Sequence, residues 1–434
     1  MLAGAAKTDI TPKVTVWLDG MIREHRSKGV HDPLFARALA LSPGDDLAEA
    51  IVVVSLDLVE LRTEDSRLIR DRAAAVTGVP ACRIIVAATH THSGPATIGY
   101  FNPRETAYVD QLIGKIAGLI QNATSYLCPA AVGAASGEER TISHYRRLLG
   151  IDGRVVMNWE PFPPERIVGP LGEVDSEVGV LRVVSAEDSG KDLCLLFNHA
   201  GHPNVLSGDN CLLSADYPGY AAKLLEEQFG GLAMFVNGAL GTADIDGLKD
   251  RNWRGVEQAG SALAEAVKEI ASQVSHRPDA RLRANSRRYF MPARRITDEE
   301  YAWAERILAQ TGGAVQPMAD GVGDDFKALF YRKVREEARR EIEIEQICFA
   351  VDDCAFISFP GELYTEIGKE IKSRSPFEQT YIIGLANGGV GYIPTEKAIG
   401  EGGYSEDMRL VDAPAERIAV EQSCALLRDV HNQQ

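Results

Sequence analysis

The stretch Thr89-His90-Thr91-His92-Ser93-Gly94-Pro95 follows directly on the apolar run Ile84-Ile85-Val86-Ala87-Ala88. Two imidazoles two residues apart at the end of a buried strand project to one side, because side chains of an extended chain alternate between faces. Ser-Gly-Pro then stops the strand and leaves the pair at its mouth, where ligands of α/β proteins commonly lie. A second pair, His199 and His202, stands in Asn198-His199-Ala200-Gly201-His202-Pro203, again after an apolar run, Leu193-Cys194-Leu195-Leu196. A lone histidine at a strand end is ordinarily a hydrogen-bonded structural residue. Two strand-to-loop junctions that both end in paired imidazoles, in a chain with nine histidines, point instead to a metal.

Further motifs follow in order: Ser214-Ala215-Asp216-Tyr217-Pro218-Gly219-Tyr220-Ala221, Phe359-Pro360-Gly361-Glu362 and Gly391-Tyr392-Ile393-Pro394-Thr395. With the opening Gly4-Ala5-Ala6-Lys7-Thr8-Asp9-Ile10-Thr11-Pro12, they resemble the neutral ceramidases, zinc amidases that cleave an N-acyl bond, from residue 3 to about 405. The resemblance implies one zinc ion per chain, held by His90, His199, Glu362 and Tyr392. It gives His92 the role of base and Tyr404, twelve residues after Tyr392, that of bonding the reacting carbonyl. Two neutral imidazoles and a carboxylate form an ordinary catalytic zinc set with a position left for water. Tyr392 is the unusual member: a phenol with a pKa near ~10 ligates strongly only where the metal lowers it, and otherwise is a weak ligand or proton donor. Packing beside Gly388, Gly389 and Gly391 is its alternative reading.

Other residues carry two readings each. His31, before Asp32-Pro33, is expected either in a substrate pocket or capping a strand start, and Arg146 either where an oxyanion or a substrate carboxylate binds or on a solvated face. His202 is assigned to the substrate. Asp57, embedded in Val54-Ser55-Leu56-Asp57-Leu58, needs a partner and is expected to orient a ligand imidazole; Asp216 is expected to do the same or to cap a helix. The family's serine-containing segment falls at residues 235–246, where this chain has Asp244 and no serine between Ser214 and Ser261. Asp244 or Asp246 is therefore expected to touch substrate or a second cation, or to close a turn, and direct attack by activated water replaces a serine route.

The elements that must position these groups alternate. Residues 51–56 and 83–88 read as buried strands around a helix at 63–76; Tyr108, Leu112, Ile113, Ile116, Leu119 and Ile120 trace a helical stripe, as do Val256, Ala259, Leu263, Val267 and Ile270. Residues 341–345 alternate as a strand that turns at Asp352-Asp353 and returns through 355–359, delivering Glu362. This predicts an α/β fold, a layered mixed sheet flanked by helices, in one catalytic domain over 1–434. A helical hairpin is inserted near 297–340, and the family's C-terminal β-sandwich is not expected.

A net charge of −16 argues against nucleic acid as a partner. Seven cysteines without C-x-x-C spacing read as reduced thiols, and no membrane-length apolar run occurs, so a cytoplasmic enzyme is expected to act on a small soluble amide or ester. A homo-oligomer is left open. Two rival readings are a zinc lyase or isomerase on a sugar-derived carbonyl and a non-catalytic binding protein.

Overall fold

In the computed structural model, residues 1–188, 190–245 and 250–433 are described. Eight strands form the larger sheet: β1 (Leu2–Asp9), β2 (Phe35–Ser42), β3 (Ile51–Leu56), β4 (Ile84–Ala88), β5 (Cys128–Glu138), β6 (Glu177–Ser185), β7 (Asp192–His199) and β8 (Leu232–Asn237). They lie in the order β8-β7-β6-β5-β1-β2-β3-β4. The pairs at the two ends, β7 with β8 and β3 with β4, are parallel, and those between are antiparallel. Each parallel pair is joined through a helix: α1 (Thr63–Thr77) between β3 and β4, and α3 (Asp216–Phe229) between β7 and β8. Helix α2 (Thr106–Ser125) packs beside α1, and α4 (Trp253–Ser272) beside α3.

A second sheet of four strands, β9 (Leu282–Pro292), β10 (Glu341–Val351), β11 (Cys354–Ser358) and β12 (Gln379–Ile383), covers the opposite face. Strand β3 shows how the layers are specified. Val52, Val54 and Leu56 join the core with α1 and α2, whereas Ile51 and Val53 join a core with Ile347, Phe349 and Phe356 of the second sheet. A strand buried on both faces reads as a continuous apolar run, and each such side chain withdrawn from water contributes roughly 1.5–3 kcal/mol. Helices α7 (Thr365–Ser373) and α10 (Ala415–His431) close the far side, giving helix, sheet, sheet, helix. The expected α/β layering is thus present.

Helices α5 (Asp298–Thr311) and α6 (Asp324–Glu337) pack on each other through Ala304, Leu308, Ala328 and Tyr331. Thr297 starts α5 with a capping box closed by Glu300. The short helices α8 (Glu396–Glu401) and α9 (Tyr404–Asp407) precede α10.

The larger sheet rolls until its ends meet. Ser55 Oγ of β3 donates to Phe235 O of β8 at 2.5 Å. Asn237, the last residue of β8 and fully buried, donates through Nδ2 to Thr89 O at 3.0 Å and Gly201 O at 2.8 Å. Its Oδ1 accepts from Gly201 N and Gly238 N. One side chain therefore ties together the two histidine loops, which sequence separates by more than a hundred residues.

Candidate active site

His90 lies two residues beyond the end of β4 and has φ +75°, a left-handed conformation costing a non-glycine residue of order 1–3 kcal/mol. Its backbone N donates to Leu58 O at 2.8 Å and its Nδ1–H to Val59 O at 2.9 Å, so Nε2 is left with its lone pair. The expected cause of convergence, alternation along a strand, is corrected here: the pair is aimed by this left-handed turn. His92 N donates to Pro203 O of the second loop at 3.1 Å. Gly20, at φ +82°, lies so close against the His92 ring that a Cβ there would fall 2.4 Å from it.

In the second loop it is His202 that meets the first pair. His202 Nδ1–H donates to Ala243 O at 2.8 Å and turns Nε2 inward. His90, His92 and His202 each offer a nitrogen within 4.8 Å of the others, and all three are buried. His199, expected as a metal ligand, is placed elsewhere. It is still a strand residue, paired with Asn237, and its Nε2 lies 3.2 Å from Ser143 Oγ.

Glu362 sits just beyond the β10–β11 hairpin, paired in parallel with Tyr392 by a short bridge, so the two expected ligands stand side by side. Glu362 Oε2 lies 3.2 Å from His202 Nε2 and 3.8 Å from His90 Nε2, yet has no hydrogen bond of good geometry. Both ring nitrogens of His92 are likewise buried and unpartnered. Burial lowers the pKa of His90 to about 4 and that of His92 well below the usual histidine value. For Glu362 burial pulls upward, but His90 and His202 win and hold the carboxyl below its ordinary range. His90, His92 and His202 converging beside the Glu362 carboxylate are a donor set that could hold a buried cation.

Arg146 is buried against this centre. Its Nη1 lies 3.2 Å from His202 Nε2 and 3.9 Å from Asp244 Oδ2, and its Nη2 donates to Ser405 Oγ at 2.5 Å. The guanidinium stands 4.8 Å from the ring centre of Tyr392 and 5.9 Å from that of Tyr404. Burial opposes its charge, but Tyr392, Asp244 and Glu362 outweigh that and raise its pKa. The Tyr404 hydroxyl is pushed up to about 12 by burial, partly offset by Arg146, and burial holds Tyr392 well above the usual phenol value. Both phenols are therefore proton-bearing donors at neutral pH. Asp244 closes its own turn, accepting from Ile245 N, and lines a recess with Arg146, Trp159 and His202. Asp246 lies outside the described residues.

Three further expectations change. Asp57 does not orient an imidazole: it accepts from Arg37 Nη1 at 2.9 Å and Phe35 N at 2.8 Å, and Val59 O takes the orienting role. Asp216 binds Tyr217 N and Leu206 N, tying helix α3 to the second loop instead of to a ligand. His31 is half-exposed, stacked on Trp253 at 3.5 Å in a separate cleft, while its neighbour Asp32 caps Ser214 and Ala215.

A cleft opens from His90, His92, Glu362, Tyr392 and Tyr404. Its outer walls are Ile98, Tyr100, Phe101, Phe326, Phe330 and Met408. Helix α6 supplies two of these, and Lys327 Nζ anchors it to Asp407 Oδ2 at 2.5 Å, within the segment that carries Tyr404. Sequence reasoning missed Glu60, which also lines this cleft, Trp159 and the tie at Asn237. A carboxylate one residue past the apolar Leu58-Val59 was the available signal for Glu60. The others depend on which loops meet.

Residues 1–239 match the family model for neutral/alkaline non-lysosomal ceramidase, N-terminal. The crystal structure of neutral ceramidase from Pseudomonas aeruginosa is similar over 99% of this chain and 75% of the other, with a TM-score of 0.73 and 19% identity. A ceramidase complexed with C2 is similar over the same shares, with a TM-score of 0.75 and 18% identity. At that identity the likeness concerns the fold.

Proposed function

The chain belongs to the neutral/alkaline non-lysosomal ceramidase family, and from that premise we propose that it is a zinc-dependent amidase cleaving an N-acyl bond of a small substrate. The family itself supports hydrolysis of an amide, that of ceramide. The observation that carries the finer reading is the convergence of His90, His202 and Glu362, all buried and with Glu362 Oε2 unpartnered, at the head of a largely apolar cleft.

His90, His202 and Glu362 would hold the ion, with Tyr392 beside Glu362 as the fourth member. When bound, zinc supplies Lewis acidity, lowering the pKa of an attacking water toward about 7. His92, neutral and unpartnered, accepts the proton of that water and returns it to the leaving amine. The hydroxyl of Tyr404 donates to the carbonyl oxygen as negative charge develops on it, and Arg146 beside its ring strengthens that field. The cleft, with its aromatic and apolar walls, takes one arm of the substrate.

All seven cysteines are free, which supports a reducing, cytoplasmic setting. No helix among the described residues is long and apolar enough to cross a membrane.

The test is hydrolysis of a panel of N-acyl compounds by zinc-loaded protein in water enriched in oxygen-18. Label in the released carboxylate supports the amidase; an unlabelled product or none, with zinc bound, sinks it and favours the lyase or the binding protein.

A further inference from the structure

Glu60 is 7% exposed and lines the cleft, yet its carboxyl makes no hydrogen bond or ion pair with any described residue. The chain gives it room: a Cβ at Gly389 would fall 1.1 Å from Glu60 Oε1. Basic side chains of this region are committed elsewhere. Arg62 donates its guanidinium to Ile98 O, and Lys333 Nζ stands over the Tyr100 ring at 4.2 Å. Across the same cleft Phe101 and Phe326 stack at 5.1 Å, with Phe330 beside them.

A buried carboxylate set among aromatic rings suits one ligand chemistry. A hydrocarbon arm would bury the carboxyl further without a partner, at a cost to binding. A cationic nitrogen pairs with the carboxylate and lies against ring faces that attract positive charge. We propose that Glu60 is a specificity-determining residue that, with the aromatic wall, receives an ammonium or alkylated ammonium group on the substrate arm lying in this cleft. The proposal rests on the amidase reading for the word substrate.

Two probes of equal shape separate charge from size: 6-(trimethylammonio)hexan-1-ol and 7,7-dimethyloctan-1-ol. Calorimetric titration of zinc-loaded wild type, Glu60→Gln and Glu60→Leu is expected to show the cation bound about tenfold tighter by wild type. That preference shrinks in Glu60→Gln and reverses in Glu60→Leu. Equal or weaker binding of the cation by wild type, no binding of either probe, or a preference that survives Glu60→Leu overturns the proposal. Circular dichroism of each variant, with the conservative Gln beside the Leu, separates loss of recognition from loss of fold. The readout does not need turnover. Glu60-dependent binding without hydrolysis of any amide would end the amidase reading alone, whereas cleavage of neutral amides without cation preference would end this proposal alone.

Discussion

The two histidine loops start from nearly the same sequence device, an apolar strand of a parallel pair running into two imidazoles, and end differently. In the first, both His90 and His92 reach the centre; in the second, His202 reaches it and His199 does not. The difference is where the ladder ends. His90 stands two residues past β4, free to take a left-handed turn, whereas His199 is held in register with Asn237 and its ring goes to Ser143. A histidine still bonded into a sheet belongs to that sheet's packing, and one released from it can be aimed.

The sharpest way to break this contrast is to exchange the roles of the second pair. His202→Ala is expected to lose bound zinc and activity, while His199→Ala keeps about one zinc per chain, by elemental analysis of protein purified with zinc supplied. Zinc lost in His199→Ala and kept in His202→Ala would reverse the assignment. Within the first loop, His92→Ala should keep its zinc and lower kcat about 10²- to 10⁴-fold, the range for a lost acid–base group. Loss of the metal in that variant would make His92 a ligand and leave the base unassigned.

The tie between the loops comes next. Asn237→Ala removes both bonds that Nδ2 sends to the two loops and should lower stability by about 2–4 kcal/mol in urea unfolding of the metal-free protein. An unchanged midpoint would mean that the loops meet without it. The smallest effect concerns Asp216, whose carboxylate accepts from Leu206 N beyond the second loop. Burial raises its pKa from 3.8 to about 7, so the folded state holds this proton more tightly than the unfolded chain does. Its contribution to stability is full below about 4 and is lost as pH rises to about 7. Asp216→Asn should flatten that part of the pH–stability curve of the metal-free protein. An unaltered slope would place the proton on Asp19, also raised by burial, to about 6.

Much of the scaffold was legible because its signals are local. The apolar runs of β3 and β4, the stripes of α2 and α4, and the hairpin through Asp352, at φ +50°, each follow from a pattern a few residues long. Glu362 and Tyr392 were legible as motif residues, and their bridge shows them adjacent. The partners of buried charges were not. Asp57 was rightly read as needing one, but Arg37 and a loop histidine compete equally in sequence, and strand pairing between β2 and β3 decided it. Residue types and spacing by themselves determined that this chain builds α/β layers and presents imidazoles at two strand ends. Which imidazoles converge depends on the rolling of the larger sheet and on Asn237, and which aromatic rings face the unpaired carboxylate depends on where helix α6 packs. Such contacts join residues far apart in the chain, and their geometry exists only once the sheet has closed.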